Sequence, residues 1–224
     1  MKVNDFAIRK VEAAEKGVIN EIVNIHLATF KGFFLTFMGK GFLKQMYTAY
    51  TKHTQSDLLV AVADGSVVGF LAYSEHMSGL YKYMIKHQLI PFGWYSAGAF
   101  FRKPKVFMRL IRAFLKPGEA HREEQYVELA SIGVHPDAKA KGVGSRLIDA
   151  LKDEVDFNAF DYITLETDAV NNEIANRFYV KNGFRVVREY RTHEGRAMCE
   201  YRYTGEETVE GEEDSLHTEH SQKG

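Results

Sequence analysis

The sequence has little of what marks secreted, disulfide-bonded or membrane-spanning proteins. Its 224 residues include one cysteine, Cys199, and four prolines. A single cysteine excludes an intrachain disulfide framework and a zinc site with several thiolate ligands. No uncharged apolar stretch reaches the roughly 18 residues that predict a transmembrane helix, and the opening segment lacks the apolar core of a signal peptide. We therefore expect a cytoplasmic protein that holds no metal.

Charge is balanced overall but uneven along the chain. The 29 Lys and Arg residues face 30 Asp and Glu, so a uniformly basic nucleic-acid-binding protein is not expected. Residues 76–118, however, carry eight basic side chains and no acidic one. Residues 205–224 carry seven acidic side chains and one lysine, the composition of a solvated, disordered tail. The sequence thus predicts one domain over 1–204, followed by an acidic tail.

Apolar spacing alternates between the patterns of strands and helices along the domain. Strands are predicted at 6–11, 58–63, 67–73, 126–134, 162–167, 184–190 and 197–203. Helices are predicted at 13–30, 36–50, 142–155 and 172–181. Asp64 and Gly65 lie between two strands and predict a hairpin turn. This order favours an α/β protein with a mixed sheet covered by helices.

The most informative stretch follows the strand predicted at 126–134. There a turn leads to Gly142 and Gly144, which open a helix. The unpaired N–H groups at a helix start attract anions, and glycine lets the backbone approach phosphate oxygens. Three basic side chains add positive charge: Lys139, Lys141 and Arg146. The P-loop ending is missing, and Leu147 replaces the third glycine of the dinucleotide fingerprint. A helix start whose glycines only permit close packing remains the alternative.

The residues around these glycines resemble the acyl-CoA-binding motif of the GNAT superfamily of N-acetyltransferases. That motif is a strand, Val-x-Pro, then (Gln/Arg)-x-x-Gly-x-(Gly/Ala). Here it is Val134-His135-Pro136, then Lys139-Ala140-Lys141-Gly142-Val143-Gly144, with Lys139 in place of Gln or Arg. The resemblance implies that the backbone of Ile132, Gly133 and Val134 pairs with the pantetheine arm of acetyl-CoA. It implies that the pyrophosphate is held by Lys139, Ala140, Lys141, Gly142, Val143, Gly144 and Ser145.

A second stretch, residues 172–184, resembles the later GNAT signature Asn-x-x-Ala-x-x-Phe-Tyr-x-x-x-Gly-Phe. Asn172 begins a helix, and the resemblance implies that it contacts the cofactor. Tyr179 lies two turns later on the same face. The resemblance implies that Tyr179 is the general acid for the leaving thiolate. It also implies a mostly antiparallel sheet of about seven strands flanked by helices, with a helical insertion between the third and fourth strands.

An amine acceptor must lose a proton before it attacks a thioester, and a carboxylate is the usual base. Glu128 and Glu166 lie on predicted strands near the glycine loop. Each is equally compatible with a surface or ion-paired carboxylate, and we favour Glu128 as the base. Cys199 lies within a predicted strand, where an inert core thiol is the commoner outcome.

Residues 30–43 and the insertion at 76–124 are the candidates for acceptor recognition, although 30–43 is equally compatible with a plain turn between the first two helices. The insertion is basic and rich in aromatic residues. It is compatible with a lid over an anionic acceptor, with contact to an anionic membrane surface, or with packing as an extra layer or homodimer contact. The expected function is transfer of an acetyl group from acetyl-CoA to a primary amine of a small molecule, such as an amino sugar or a nucleotide-linked amino sugar. A non-catalytic CoA-binding sensor or scaffold, and a transferase of a longer acyl group, are the alternatives.

Overall fold

The computed structural model describes residues 5–13, 15–30, 34–87, 124–138, 142–192 and 195–205. The strands are β1 (Ala7–Lys10), β2 (Ser56–Ala63), β3 (Ser66–Ser74), β4 (Tyr126–Val134), β5 (Tyr162–Asp168), β6 (Arg185–Arg191) and β7 (Ala197–Tyr203). The helices are α1 (Lys16–Thr29), α2 (Phe34–Met38), α3 (Lys40–Tyr50), α4 (77–87), α5 (Val143–Glu154) and α6 (Glu173–Lys181), with a 3-10 turn at Pro136–Ala138. The predictions for 88–123 and for the tail beyond 205 fall outside the described residues.

The seven strands form one sheet in the order β1-β2-β3-β4-β5-β7-β6. Every neighbouring pair is antiparallel except β4 and β5, which run parallel. The prediction of a mixed, mostly antiparallel sheet of about seven strands is therefore confirmed. The hairpin between β2 and β3 also forms as predicted, with positive φ angles at Asp64 (50°) and Gly65 (76°) that suit the right-handed strand twist.

Helices cover both faces of the sheet, and each face has its own apolar cluster. On the first, which we call the α1 face, α1 and α3 contribute Ile22, Leu43 and Tyr47 to a cluster with Phe70 of β3. On the second, the α5 face, Leu147 and other residues of α5 pack with β-strand residues. Burial of these side chains is the main favourable term for the fold. Within the described ranges, no helix is both long and apolar enough to cross a membrane.

The helix predicted at 36–50 is wrong in one respect, because the chain forms two helices there. Gly39 separates α2 from α3 with φ 89° and ψ 171°. That combination lies in a region that is essentially restricted to glycine. The break turns α3 so that Phe42, Leu43, Met46 and Tyr47 are buried against the sheet.

Candidate active site

The site is built around a gap between the parallel strands β4 and β5. Their pairing covers three residues and ends where Glu128 lies opposite Thr164. Both strands continue beyond that point, β4 to Val134 and β5 to Asp168. In the described part of the chain, residues 131–134 pair only with β3. Their other edge therefore offers backbone N–H and C=O groups to a ligand that binds like an added strand, although the Val134 carbonyl already accepts a hydrogen bond from Thr29 Oγ1 at 3.3 Å.

A bulge at Ala130 determines which side chains of β4 face which layer. The β3–β4 register skips this residue, since Ala72 pairs with Ser131 and Tyr73 with Leu129. Val127 and Leu129 belong to the cluster of the α5 face, and Ile132 and Val134 also pack against it. A regular strand would place odd-numbered and even-numbered residues on opposite faces. The bulge therefore brings Ser131 onto the α1 face, where it meets Tyr47.

The glycine loop lies at the end of β4, as the sequence predicts. Gly142 precedes α5 with φ 78°, and the first backbone bond of the helix runs from the Arg146 N–H to the Gly142 carbonyl, 3.0 Å. The N–H groups of Val143, Gly144 and Ser145 therefore have no partner within the helix and form an anion-binding end. Lys139, Ala140 and Lys141 lie outside the described residues. Arg146 contributes less to this anion-binding end than expected, because its guanidinium lies over the Phe6 ring, 4.5 Å from the ring centroid.

The two sequence signatures touch each other in the structure. A Cβ atom on Gly144 would lie 3.1 Å from the ring of Phe178 on α6 and 3.7 Å from Val134. Glycine at this position therefore lets Phe178 of α6 pack directly against the start of α5. Asn172 lies at the start of α6, and its side-chain N–H donates to Thr167 Oγ1 (2.7 Å) and to the Asp168 carbonyl (3.2 Å). These bonds tie α6 to the end of β5, a structural role in addition to the predicted cofactor contact.

Tyr179 is nine per cent exposed and lies on the α5 face, in the same cluster as the apolar side chains of β4. Its ring packs against Phe178, Phe184 and Tyr201. Burial, with a smaller contribution from Tyr201, raises the pKa of Tyr179 to about 12. Its hydroxyl makes no hydrogen bond within the described part of the chain. A phenol of this kind stays protonated at neutral pH and can donate to a newly arriving acceptor.

Glu128 lies at the last paired position of β4, opposite Thr164 on one side and Ser74 on the other. It is half-buried on the α1 face, close to the buried Tyr50. Burial raises the pKa of Tyr50 well above its ordinary value, and the charge of Glu128 adds to the shift. The structure therefore places this carboxylate beside the point where β4 and β5 part.

Glu166 lies two residues beyond the last β4–β5 pair, but its carboxylate is engaged with β6. The Tyr190 hydroxyl donates to Glu166 Oε2 at 2.6 Å, and an Arg188 nitrogen lies 3.5 Å from Oε1. Arg188 also pairs with the buried Glu200, which Arg202 contacts from the other side. Glu166 thus belongs to a chain of alternating charges across β5, β7 and β6. This arrangement favours the ion-paired alternative over the role of base.

A buried polar chain on the α1 face was missed by the sequence analysis. His26 of α1 is three per cent exposed, and its Nδ1 lies 2.7 Å from the Tyr47 hydroxyl. The Tyr47 hydroxyl lies 3.5 Å from Ser131 Oγ. The only signal in the sequence was that His26 follows Ile22 by one helical turn, on the buried side of α1.

Other polar groups near the site have structural roles. The His135 ring accepts a hydrogen bond from the Asp137 N–H. The backbone N–H of His135 donates to the Val68 carbonyl. Cys199 is buried, and burial raises the pKa of its thiol, as expected for an inert core residue. Among the residues with described positions, no group of three His, Cys, Asp or Glu side chains could hold a metal ion.

Solved structures with the same fold include several acetyltransferases. A putative GNAT acetyltransferase from Desulfovibrio desulfuricans superposes with TM-score 0.58 at 14% identity, covering 89% of this chain and 99% of the other. A polyamine N-acetyltransferase from Drosophila melanogaster that forms N-acetylagmatine gives 0.55 at 12% identity, covering 89% and 100%. Arabidopsis thaliana NAA60 in complex with acetyl-CoA gives 0.54 at 15% identity, covering 89% and 98%. At these identities the likeness establishes the fold.

The family follows from the sequence match. A search of curated proteins finds no match to this chain. The model of the acetyltransferase (GNAT) family matches residues 20–184. That range includes the gap between β4 and β5, the glycine loop and the helix that carries Tyr179. The chain therefore belongs to the acetyltransferase (GNAT) family of enzymes.

Proposed function

We propose that this protein transfers the acetyl group of acetyl-CoA directly to a primary amine of a small molecule. The observation that carries the proposal is the early end of β4–β5 pairing, with the glycine-opened helix α5 at the end of β4. A free strand edge and a helix N-terminus at one end of the sheet match the two polar parts of coenzyme A, an amide-rich arm and a pyrophosphate.

The residues present fit this ligand. Ile132, Gly133 and Val134 would hold the pantetheine arm through their free edge. Residues 139–145 would hold the pyrophosphate, and Asn172 would lie beside the arm. When bound, the thioester supplies the acetyl group. The close contact of Gly144 with Phe178 supports the fit, because it places the glycine loop beside the helix that carries Tyr179.

Tyr179 would act as the general acid. Its phenol is protonated at neutral pH and has no partner in the described part of the chain, so it is available to donate a proton to the departing sulfur. The raised pKa makes it a weaker acid than an ordinary tyrosine. That fits a group whose proton should leave only when negative charge develops nearby.

Glu128 would act as the general base, directly or through an ordered water molecule. It faces the α1 side of the gap, whereas Tyr179 lies on the α5 side. An acid and a base on opposite sides of the β4–β5 gap suit direct transfer, with the amine entering from one side and the thiol leaving on the other. The position of Glu128 at the end of the β4–β5 pairing favours it over Glu166, whose carboxylate contacts Tyr190 and Arg188 of β6.

We further propose that the acceptor is anionic, such as a nucleotide-linked amino sugar, and that the basic segment 76–118 contributes to its binding. The described start of that segment supports this: α4 buries Met77, Leu80 and Met84 against the α1-face cluster and leaves Lys82 and Lys86 exposed. The segment thus begins on the side of the sheet that carries Glu128. Contact with an anionic membrane surface and formation of a homodimer are the competing proposals for the same residues.

Two measurements test the function. Calorimetry should detect binding of coenzyme A to the folded protein, and free-thiol release should detect transfer from acetyl-CoA to glucosamine, UDP-linked glucosamine, spermidine or an alanine-initiated tripeptide. Absence of coenzyme A binding would refute the proposal outright. Binding without transfer to any amine would favour a sensor or scaffold, and faster turnover of a longer acyl-CoA would correct the acyl group. The anionic acceptor would be supported if KM for the UDP-linked amine rises with salt concentration and the protein does not bind anionic vesicles.

A further inference from the structure

The buried pair of His26 and Tyr47 poses a problem that its packing does not solve. The imidazole is three per cent exposed, and its Nε2 atom is buried without any hydrogen-bond partner in the described residues. Buried polar atoms in proteins are nearly always paired. An apolar side chain of similar size would fill the same space against Phe30 without this cost. The retained histidine therefore suggests that its other nitrogen, Nδ1, performs a task.

That task is to hold the Tyr47 hydroxyl. The Nδ1–Oη distance is 2.7 Å, and Tyr47 is completely buried, so its hydroxyl has few other partners. The same hydroxyl lies 3.5 Å from Ser131 Oγ. Three side chains from α1, α3 and β4 thus form one polar chain that crosses the apolar layer and ends at β4.

Ser131 is the half-buried end of this chain. It directly follows the bulge at Ala130, which turns its side chain to the same face as Glu128. It also directly precedes the strand edge proposed to hold the pantetheine arm. Ser131 therefore lies between the candidate base and the candidate acyl-donor site, on the face from which the amine would enter.

The hydrogen-bond chemistry leaves Ser131 able to bind a donor. A neutral imidazole can either donate or accept at Nδ1, and both tautomers hold the Tyr47 hydroxyl. If Tyr47 donates to Ser131, the serine oxygen keeps one lone pair, and if Ser131 donates to Tyr47 it keeps two. In either case a lone pair remains for an N–H group from the gap.

We propose that the Ser131 hydroxyl accepts a hydrogen bond from the acceptor amine and so orients the nitrogen lone pair towards the thioester. Tyr47 and His26 are the positioning residues that hold Ser131 for this purpose. The inference rests on the proposed function, since it assigns a contact within that same reaction. It requires no proton transfer through the chain, because Glu128 takes the proton of the ammonium.

The test compares Ser131→Ala, Ser131→Thr and Tyr47→Phe with the wild type, using the fastest amine of the four-member panel. Ser131→Ala should lower kcat/KM for the amine roughly tenfold, the effect of one hydrogen bond in the transition state. KM for acetyl-CoA and coenzyme A affinity should stay unchanged. Ser131→Thr retains the hydroxyl and should restore most of the activity. Ser131 is half-buried, so its variants should fold even if Tyr47→Phe does not.

A double variant distinguishes a positioning role of Tyr47 from a simple loss of packing. Tyr47→Phe should produce a similar loss, and the double variant Tyr47→Phe/Ser131→Ala should be no worse than Ser131→Ala alone. Tyr73→Phe is the matched control, because Tyr73 is a buried tyrosine on the α5 side of the neighbouring strand β3. The activity of this variant should equal that of the wild type.

Two outcomes would overturn the inference. One is that the wild type is active and Ser131→Ala has the same kcat/KM. The other is that the double variant loses activity by the product of the losses of Tyr47→Phe and Ser131→Ala. A wild-type protein that binds coenzyme A but acetylates no amine would instead overturn the proposed function, and the inference would fall with it.

Discussion

Burial of His26 predicts an acid sensitivity of the fold that a single substitution should remove. Burial lowers the pKa of His26 from its ordinary value of 6.5 to about 4. The unfolded chain therefore takes up a proton near pH 6.5, whereas the folded protein does so only near pH 4. The neutral form is favoured in the folded state, so its contribution to stability is complete above pH 6.5 and is lost as the pH falls towards 4.

The magnitude follows from the two pKa values. The linkage relation gives a loss of about 2 kcal/mol in the free energy of unfolding between pH 7.5 and pH 5, and about 3 kcal/mol once the pH is below 4. Carboxylates also titrate in this range, so the comparison must be with His26→Gln, which retains polar atoms near Tyr47 but does not titrate.

Urea denaturation followed by far-ultraviolet circular dichroism at pH 7.5, 6.0 and 5.0 measures the effect. The wild type should lose about 2 kcal/mol more than His26→Gln over this interval, through a shift of the midpoint at constant slope. Parallel losses in the two proteins would refute the argument. They would mean that His26 is protonated in the folded state as readily as in the unfolded chain.

Three further predictions concern the active site. Tyr179→Phe should lower kcat about 10²-fold, with unchanged coenzyme A affinity by calorimetry, and equal activity of the variant would remove the assigned role. Because the pKa of Tyr179 is about 12, the wild-type rate should show no decline as the pH is raised to about 10. Glu128→Gln should lower kcat by a similar factor, with partial recovery at high pH where the free amine is abundant. Gly144→Val should weaken coenzyme A binding by displacing Phe178, whereas Gly65→Ala, where an added Cβ would meet nothing within 4 Å, should not.

The glycine-opened start of α5 could be predicted because its determinants are local. Gly142 supplies a positive φ where α5 begins, and Gly144 permits contact with Phe178. Each requirement falls on one residue type within a short segment, so the spacing of residues along the chain records it. The same is true of the turn at Asp64 and Gly65 and of most strands, whose number and positions along the chain match the sequence-based expectation.

The bulge at Ala130 was predictable in principle but was overlooked. Val127 and Leu129 are odd-numbered, whereas Ile132 and Val134 are even-numbered, and all four pack on the same face. This change of phase is visible in the sequence. It does not by itself identify a bulge, because β4 is covered on both faces, so that apolar residues occur at both parities and a regular strand explains them equally well.

The ion pairing of Glu166 could not be predicted from the residues next to it in the sequence. Its partners Tyr190 and Arg188 come from β6, which is not adjacent to β5 in the sheet. Their meeting depends on the registers of β7 with both strands, including an irregularity between Val186 and Arg188. A one-residue change in that register would send both side chains to the opposite face.

The proposed acceptor side is the extreme case of this non-locality. Its polar chain joins His26 to Tyr47 across 21 positions and Tyr47 to Ser131 across 84. None of the three residues is unusual in its own segment, and the break at Gly39 and the bulge at Ala130 must both be right before they meet. A family whose members share a donor but differ in acceptor can keep the local motif and vary such distant contacts independently. The residues that decide which amine reacts are therefore to be sought on the α1 face, beginning with Ser131.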